Sequence, residues 1–203
     1  MKARLFLVLA LAVAVAVLVL AFAFARAPSH SDARSLSDDP TLLSHTVSAG
    51  SFHTCGVRTD GSLACWGNEY AVATPPAGTF TAVSAGDNYT CGVRTDGSLA
   101  CWGDNDYGQA TPPAGTFSQV SADDRHTCGV RTDGTLACWG YNAYGQAAPP
   151  AGTFSQVSAG GYHTCGMRTD GTLACWGYND DGRATPPAGT FSQVSAGTYH
   201  TCG

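Results

Sequence analysis

From residue 45 onward one motif returns every 36 or 37 residues, and that period confines the chain to folds in which a small unit stacks on copies of itself. Trp66, Trp102, Trp139 and Trp176 mark the rhythm, as do Cys55, Cys91, Cys128, Cys165 and Cys202. Copies occupy 45–79, 80–116, 117–153 and 154–190, and a fifth begins at Phe191 and reaches Gly203. Inside each unit the local chemistry is that of strands and turns. Thr-Asp-Gly between two short runs signals a hairpin, and Phe-Ser-Gln-Val-Ser-Ala reads as a further strand. Pro75-Pro76 and their counterparts interrupt any helix. The long Ala/Leu/Glu/Lys periodicity of helical repeats is absent, while Gly (25) and Pro (10) suit many tight turns. The expected fold class is all-β. Simple alternation along Phe117-Ser118-Gln119-Val120 sends Phe and Val to opposite faces. Cys128, Val130, Leu136 and Cys138 share one hairpin face, and Ala137 and Trp139 take the other. Both faces of a unit are therefore partly apolar, and each wants a neighbour.

The cysteines test the hairpin register. They fall into pairs ten residues apart, Cys55/Cys65, Cys91/Cys101, Cys128/Cys138 and Cys165/Cys175, with Cys202 left over. A three-residue loop Thr59-Asp60-Gly61, with Gly in the left-handed region, pairs Arg58 with Ser62 and Cys55 with Cys65. A two-residue Asp-Gly loop would instead put the two sulfurs on opposite faces. The longer loop places each cysteine pair at a non-hydrogen-bonded position, where side chains approach most closely. Four hairpin disulfides are expected on that register. Zinc sites favour Cys-x-x-Cys knuckles, which are missing here, and buried free thiols are the remaining alternative.

The amino terminus bears on compartment. Lys2 and Arg4 precede an apolar run from Leu5 to Ala25, closed by Arg26, with small-x-small sites such as Ala25-Arg26-Ala27. Residues 1–27 read as a secretory signal, or, since the run is long enough to span a bilayer, as an uncleaved membrane anchor. Either sends the remainder out of the cytoplasm. Residues 28–44, rich in Ser and Asp, read as a linker, and 45–203 as the repeat domain. Charged residues are only 12% of the chain, the net charge is −5 and the sole lysine is Lys2. Without clustered cations there is no phosphate-binding surface, so nucleic acid is not an expected partner.

His-Thr-Cys-Gly-Val-Arg-Thr-Asp-Gly-Thr-Leu-Ala-Cys-Trp-Gly-Tyr-Asn resembles the repeat of the regulator of chromosome condensation family, in its cysteine-paired bacterial form. The family's marks are met at His126, Asp133-Gly134, Trp139-Gly140 and Asn142. They return at His163, Asp170-Gly171, Trp176-Gly177 and Asn179. The resemblance implies a β-propeller of four-stranded blades, of which 45–203 would be an incomplete arc of a seven-bladed ring. The sequence departs from the family where Gly108-Gln109 runs into Ala110-Thr111-Pro112-Pro113, and in the first copy at Asn68-Glu69-Tyr70-Ala71-Val72.

No nucleophile elbow, phosphate loop or His-Glu-x-x-His helix is present. His53, His126, His163 and His200 recur at one repeat position, held by Tyr89 in the second copy, which reads as scaffold. No enzyme activity, cofactor or metal is expected. The copies differ mainly in two loops. The loop before the first cysteine offers Phe52, Asp87, Asn88, Asp123, Asp124, Arg125 and Tyr162. The loop after Trp-Gly offers Tyr70, Asp106, Tyr107, Tyr141, Tyr144, Tyr178, Asp180 and Asp181. With strands running up, down, up and down, both variable loops fall on one rim and the constant Thr-Asp-Gly and Pro-Pro-Ala-Gly turns on the other. Binding residues commonly sit on loops held by a rigid frame. The expected function is an extracytoplasmic scaffold binding a protein or glycan through the variable rim. The alternative is inhibition of an extracellular enzyme, as the inhibitor propellers of this repeat class imply. Guanine-nucleotide exchange, the namesake role, fits poorly with export.

Overall fold

A computed structural model describes residues 47–67 and 74–203. All belong to the unit Thr41–Gly203. The leader at 1–27, the linker at 28–44 and Tyr70 lie outside the described residues. The described chain is all strand and turn, without helix. The first repeat contains β1 (Val47–Ala49), β2 (His53–Val57) and β3 (Leu63–Gly67). The second has β4 (Phe80–Ala85), β5 (Tyr89–Arg94) and β6 (Leu99–Gly103). The third has β7 (Phe117–Ala122), β8 (His126–Arg131) and β9 (Leu136–Gly140), and the fourth β10 (Phe154–Ala159), β11 (His163–Arg168) and β12 (Leu173–Gly177). The fifth contributes β13 (Ser195–Ala196) and β14 (Thr201–Cys202). Each full repeat is an antiparallel sheet in chain order, β1-β2-β3 and so on, and β13-β14 form a two-stranded ribbon.

The sheets hold three strands, not the four that family resemblance implies. The segment where a fourth would lie carries Pro112-Pro113 and its equivalents, which have no N–H to donate to a ladder and sit in irregular backbone. The hairpin register is as the cysteine spacing requires. Arg58 N–H donates to Ser62 O at 2.8 Å and Gly61 N–H to Arg58 O at 2.9 Å, with Gly61 at φ 82°. Cys55 faces Cys65, and the same pairing recurs in the next three repeats. Disulfides join Cys55–Cys65, Cys91–Cys101, Cys128–Cys138 and Cys165–Cys175, and Cys202 is free and exposed.

Simple alternation fails along the first strand. Its register shifts between Phe80 and Ala82, Phe117 and Gln119, and Phe154 and Gln156, so Thr81, Ser118 and Ser155 are bulge residues. One extra residue resets a period of two. Phe80 and Val83 consequently join one cluster, packed on Cys55, Val57 and Leu63 of the preceding repeat. The hairpin faces behave as expected. Cys128 and Val130, flanked by Leu136 and Cys138, meet Val157 and Trp176 of the next repeat, while Trp139 packs backward on the cluster of Tyr89, Cys91 and Val93.

Polar side chains fasten these interfaces at one repeat's spacing. Ser48, Ser84, Ser121 and Ser158 accept from the N–H of Ala85, Ala122, Ala159 and Ala196 at 2.9–3.0 Å. Gln119 brackets Val157, donating to its carbonyl at 3.2 Å and accepting from its N–H at 3.0 Å. These side chains stand in for the missing strand partner of an edge. Deeper in, the rings of His126 and His163 meet the hydroxyls of Thr164 and Thr201 through Nε2 at 2.8 Å. Thr164 Oγ1 gives its one proton to Gln146 O at 2.9 Å, so Nε2 of His126 carries the hydrogen in that contact. Tyr89 fills the histidine position by donating from its hydroxyl to His126 O at 2.6 Å.

Two outcomes follow for stability. Replacing Cys128 and Cys138 together by alanine should lower unfolding free energy by about 2–4 kcal/mol, read from a denaturant midpoint. Burial, reinforced by His163, holds the His126 imidazole down at about 4; burial, then Arg183 and His200, does the same for His163. The folded values lie below the usual 6.5, so the unfolded chain binds more protons and stability is lost as pH falls from about 6.5 to about 4. His126→Tyr, which copies the second repeat, should flatten that acid loss by about 1–2 kcal/mol at pH 5, measured against the parent at each pH.

Candidate functional site

Hydrogen bonds assign the loops to rims. Asp104 N–H donates to Asn88 O, Tyr141 N–H to Arg125 O and Tyr178 N–H to Tyr162 O, each at 2.9 Å, joining the two variable loops of one repeat. On the other side Phe117 N–H donates to Gly97 O at 2.8 Å and Phe154 N–H to Gly134 O at 2.8 Å, joining the constant Thr-Asp-Gly turn of one repeat to the start of the next repeat's first strand. That side repeats one further device: Arg94, Arg131 and Arg168 lie over Phe80, Phe117 and Phe154 at 4.9–5.0 Å. Variation is thus confined to one rim and uniform scaffold to the other.

The variable loop after Trp-Gly is rigid beneath its variable residues. Asn105, Asn142 and Asn179 each accept an N–H from five residues on at 2.8 Å. Gln109 is fully buried; its Oε1 accepts Tyr107 N–H at 2.8 Å and its Nε2 donates to Asp104 at 2.9 Å. Its carbonyl takes Trp139 Nε1–H at 2.7 Å and the Thr127 hydroxyl at 3.0 Å. Between those anchors two residues point outward: Asp106-Tyr107, Ala143-Tyr144, Asp180-Asp181.

The structure brings five expected residues into one aromatic band. Tyr107 meets Tyr141 edge-on with centroids 5.2 Å apart. Tyr144 then touches Tyr141 at 6.3 Å, Tyr162 at 5.6 Å and Tyr178 at 5.1 Å. Tyr144 is 49% exposed and Tyr107 43%. Arg125 lies over the Tyr107 ring at 5.1 Å, donates to its hydroxyl at 3.1 Å and pairs with Asp124 at 3.4 Å. Phe52 is 55% exposed and has no ring partner among the described residues. Asp106 donates its N–H to Asp104 at 3.2 Å, and the Asp180 carboxylate beside Tyr178 pushes that phenol up. Two members of the band were not singled out from sequence. Arg183 sits over Tyr178 at 4.9 Å and Tyr199 at 5.4 Å and pairs with Asp181. Their signal was internal: Arg183 stands where other copies have Gln109 and Gln146.

Asp87, Asp123 and Asp124 form a second group. Ser51 donates to Asp87. Asp123 occupies the place of Gly50, Gly86, Gly160 and Gly197, and its N–H lies 3.4 Å from His126 O, where Gly86 and Gly160 hold the equivalent bond at 2.9 and 2.8 Å. Burial, with Asp87 and Asp124 nearby, pushes the Asp123 carboxyl up to about 7, and burial likewise raises Asp124. Among the described residues no group of His, Cys, Asp and Glu is arranged to hold a metal ion.

A family profile described as "Regulator of chromosome condensation (RCC1) repeat" matches residues 45–70, 80–109, 117–146 and 154–183. Comparison with curated proteins finds no match. Among solved structures, the CRINKLY WD40 ectodomain of the Arabidopsis thaliana receptor kinase ACR4 is similar at 28% identity and TM-score 0.66, over 77% of this chain and 59% of its own. The entire ectodomain of the Physcomitrella patens receptor kinase CR4 gives 28% and 0.68, over 78% and 49%. Prp20p of Saccharomyces cerevisiae, a structure reported with its binding to Gsp1p and histones, shares the fold at 15% identity and 0.65, over 80% and 56%. The chain therefore spans between half and three-fifths of these structures.

Asp123 imposes a measurable penalty. Its folded value lies above that of an unfolded aspartate, so it destabilises increasingly as pH rises from about 4 to about 7 and fully above that. Asp123→Asn should raise unfolding free energy by about 2 kcal/mol at pH 8, a gain that shrinks toward pH 4.

Proposed function

The chain belongs to the regulator of chromosome condensation repeat family, and on that footing we propose that it is an exported β-propeller-type binding module whose variable rim engages a protein or glycan ligand. The observation that carries this reading is the segregation of the rims: near-identical turns on one side, and on the other a mutually braced set of tyrosines, arginines and aspartates from which Tyr107, Tyr144 and Arg125 stand exposed. Tyrosine and arginine supply large contact area with a polar tip and are enriched where proteins bind partners. The anchoring of Asn105 and Gln109 holds the outward residues in place before binding, which lowers the ordering cost of association.

Three features support export. Residues 1–27 have the pattern of a secretory leader or anchor, followed by a linker at 28–44 ahead of the repeats. Four hairpin disulfides belong to an oxidising compartment. The two plant structures similar at 28% identity are receptor ectodomains.

Fractionation of cells making the full chain should place it, oxidised, outside the cytoplasm. Ligand capture from the surrounding medium and cell surface, followed by cross-linking, should map contacts to Tyr107, Tyr144 or Tyr178. Contacts mapping instead to the Asp96 and Asp133 turns, or a reduced cytoplasmic pool, would sink the proposal.

A further inference from the structure

The chemistry of the band narrows the ligand, granted that the rim is a binding surface at all. Its described loops hold seven aspartates (Asp87, Asp104, Asp106, Asp123, Asp124, Asp180, Asp181) against two arginines, Arg125 and Arg183. Both arginines are already spent within the chain, Arg125 on Asp124 and Arg183 on Asp181. Each also covers a tyrosine face, so these rings demonstrably accept a guanidinium at 4.9–5.4 Å. Between the two covered ends lie Tyr141, Tyr144 and Tyr162, over which no cation sits among the described residues. Tyr144 is half exposed there, with Asp106 and Asp180 exposed in the loops on either side of its own.

We propose that this middle stretch binds a basic protein segment, placing an arginine or lysine over Tyr144 with Asp106 and Asp180 compensating its charge. The acidic surplus of the rim attracts a cation and repels an acidic peptide or an anionic glycan. A neutral sugar fits less well. It carries no charge to answer the carboxylates around these rings, which stand on edge against one another at 69–77°. A guanidinium needs only one ring face and a nearby carboxylate, which is the arrangement the chain builds for itself at Tyr107, Arg125 and Asp124.

The test is a titration of the full oxidised chain with three labelled probes: an octapeptide alternating arginine and glycine, its glutamate counterpart, and a neutral chitin oligosaccharide. The basic peptide should bind, more weakly as salt rises, and the glutamate peptide should not. Tyr144→Ala should weaken binding about tenfold, Tyr144→Phe should largely preserve it, and Asp180→Asn should weaken it several-fold. Asp96→Asn and Asp133→Asn on the opposite rim should change nothing, and melting curves confirm that each variant folds. Absence of basic-peptide binding, or binding indifferent to Tyr144→Ala and Asp180→Asn, overturns the proposal. If the oligosaccharide binds and loses affinity in Tyr144→Ala while the basic peptide does not bind, the rim stands as a binding surface and the basic partner falls. If the basic peptide instead loses affinity only on changes at Asp96 and Asp133, both fall.

Discussion

A buried threonine hydroxyl joins each repeat to the one before it, and much of the architecture hangs on that contact. Thr164 takes the Nε2 proton of His126, gives its own to Gln146 O and lies 3.9 Å from the Cys128 sulfur. One side chain thereby touches the disulfide, the repeat histidine and the base of the variable loop in its neighbour. Removing such a hydroxyl leaves buried groups without partners, at about 1–3 kcal/mol for each. The same carbonyl of Gln146 accepts Trp176 Nε1–H at 2.8 Å, so the tryptophan that packs backward is aimed by the loop it packs under. Apolar contact brings repeats together; these directional bonds fix how far one turns relative to the next.

Frame and rim are coupled through that knot yet chemically separate. The loop's backbone is held from below by Asn and Gln, while the residues that differ between copies project away from it. Asp123 is the exception: it replaces a scaffold glycine, stretches a backbone bond and carries a carboxylate into a partly dry, acidic spot. A departure that weakens the frame beside the variable loops is the pattern expected where local stability yields to a surface requirement.

Much of this was legible from short-range chemistry. Of the two loops a Thr-Asp-Gly turn allows, only the three-residue one sets Cys55 opposite Cys65, so the cysteine spacing chose the register. The faces of the hairpin and the division of variable from constant loops followed from the same strand tracing. The bulges at Thr81, Ser118 and Ser155 were not legible, since nothing in Phe-Ser-Gln-Val marks the residue that drops out of the ladder. Three strands in place of four also had to be seen, although the paired prolines carried the reason. The His–Thr links and the placement of Arg183 beside Tyr199 depend on contacts between repeats, which intra-repeat patterning does not encode.

The fastenings between repeats have a genetic consequence. Ser84 to Ala122, Ser121 to Ala159 and Ser158 to Ala196 are the same bond written at successive positions. A gene that gained or lost one whole period by unequal recombination would therefore regenerate each of those bonds at the new junction, with donor and acceptor still matched. Loops on the variable side would be shuffled with it as cassettes, so this lineage could compose new surfaces by copying and diverging single units, without re-solving the problem of folding each time.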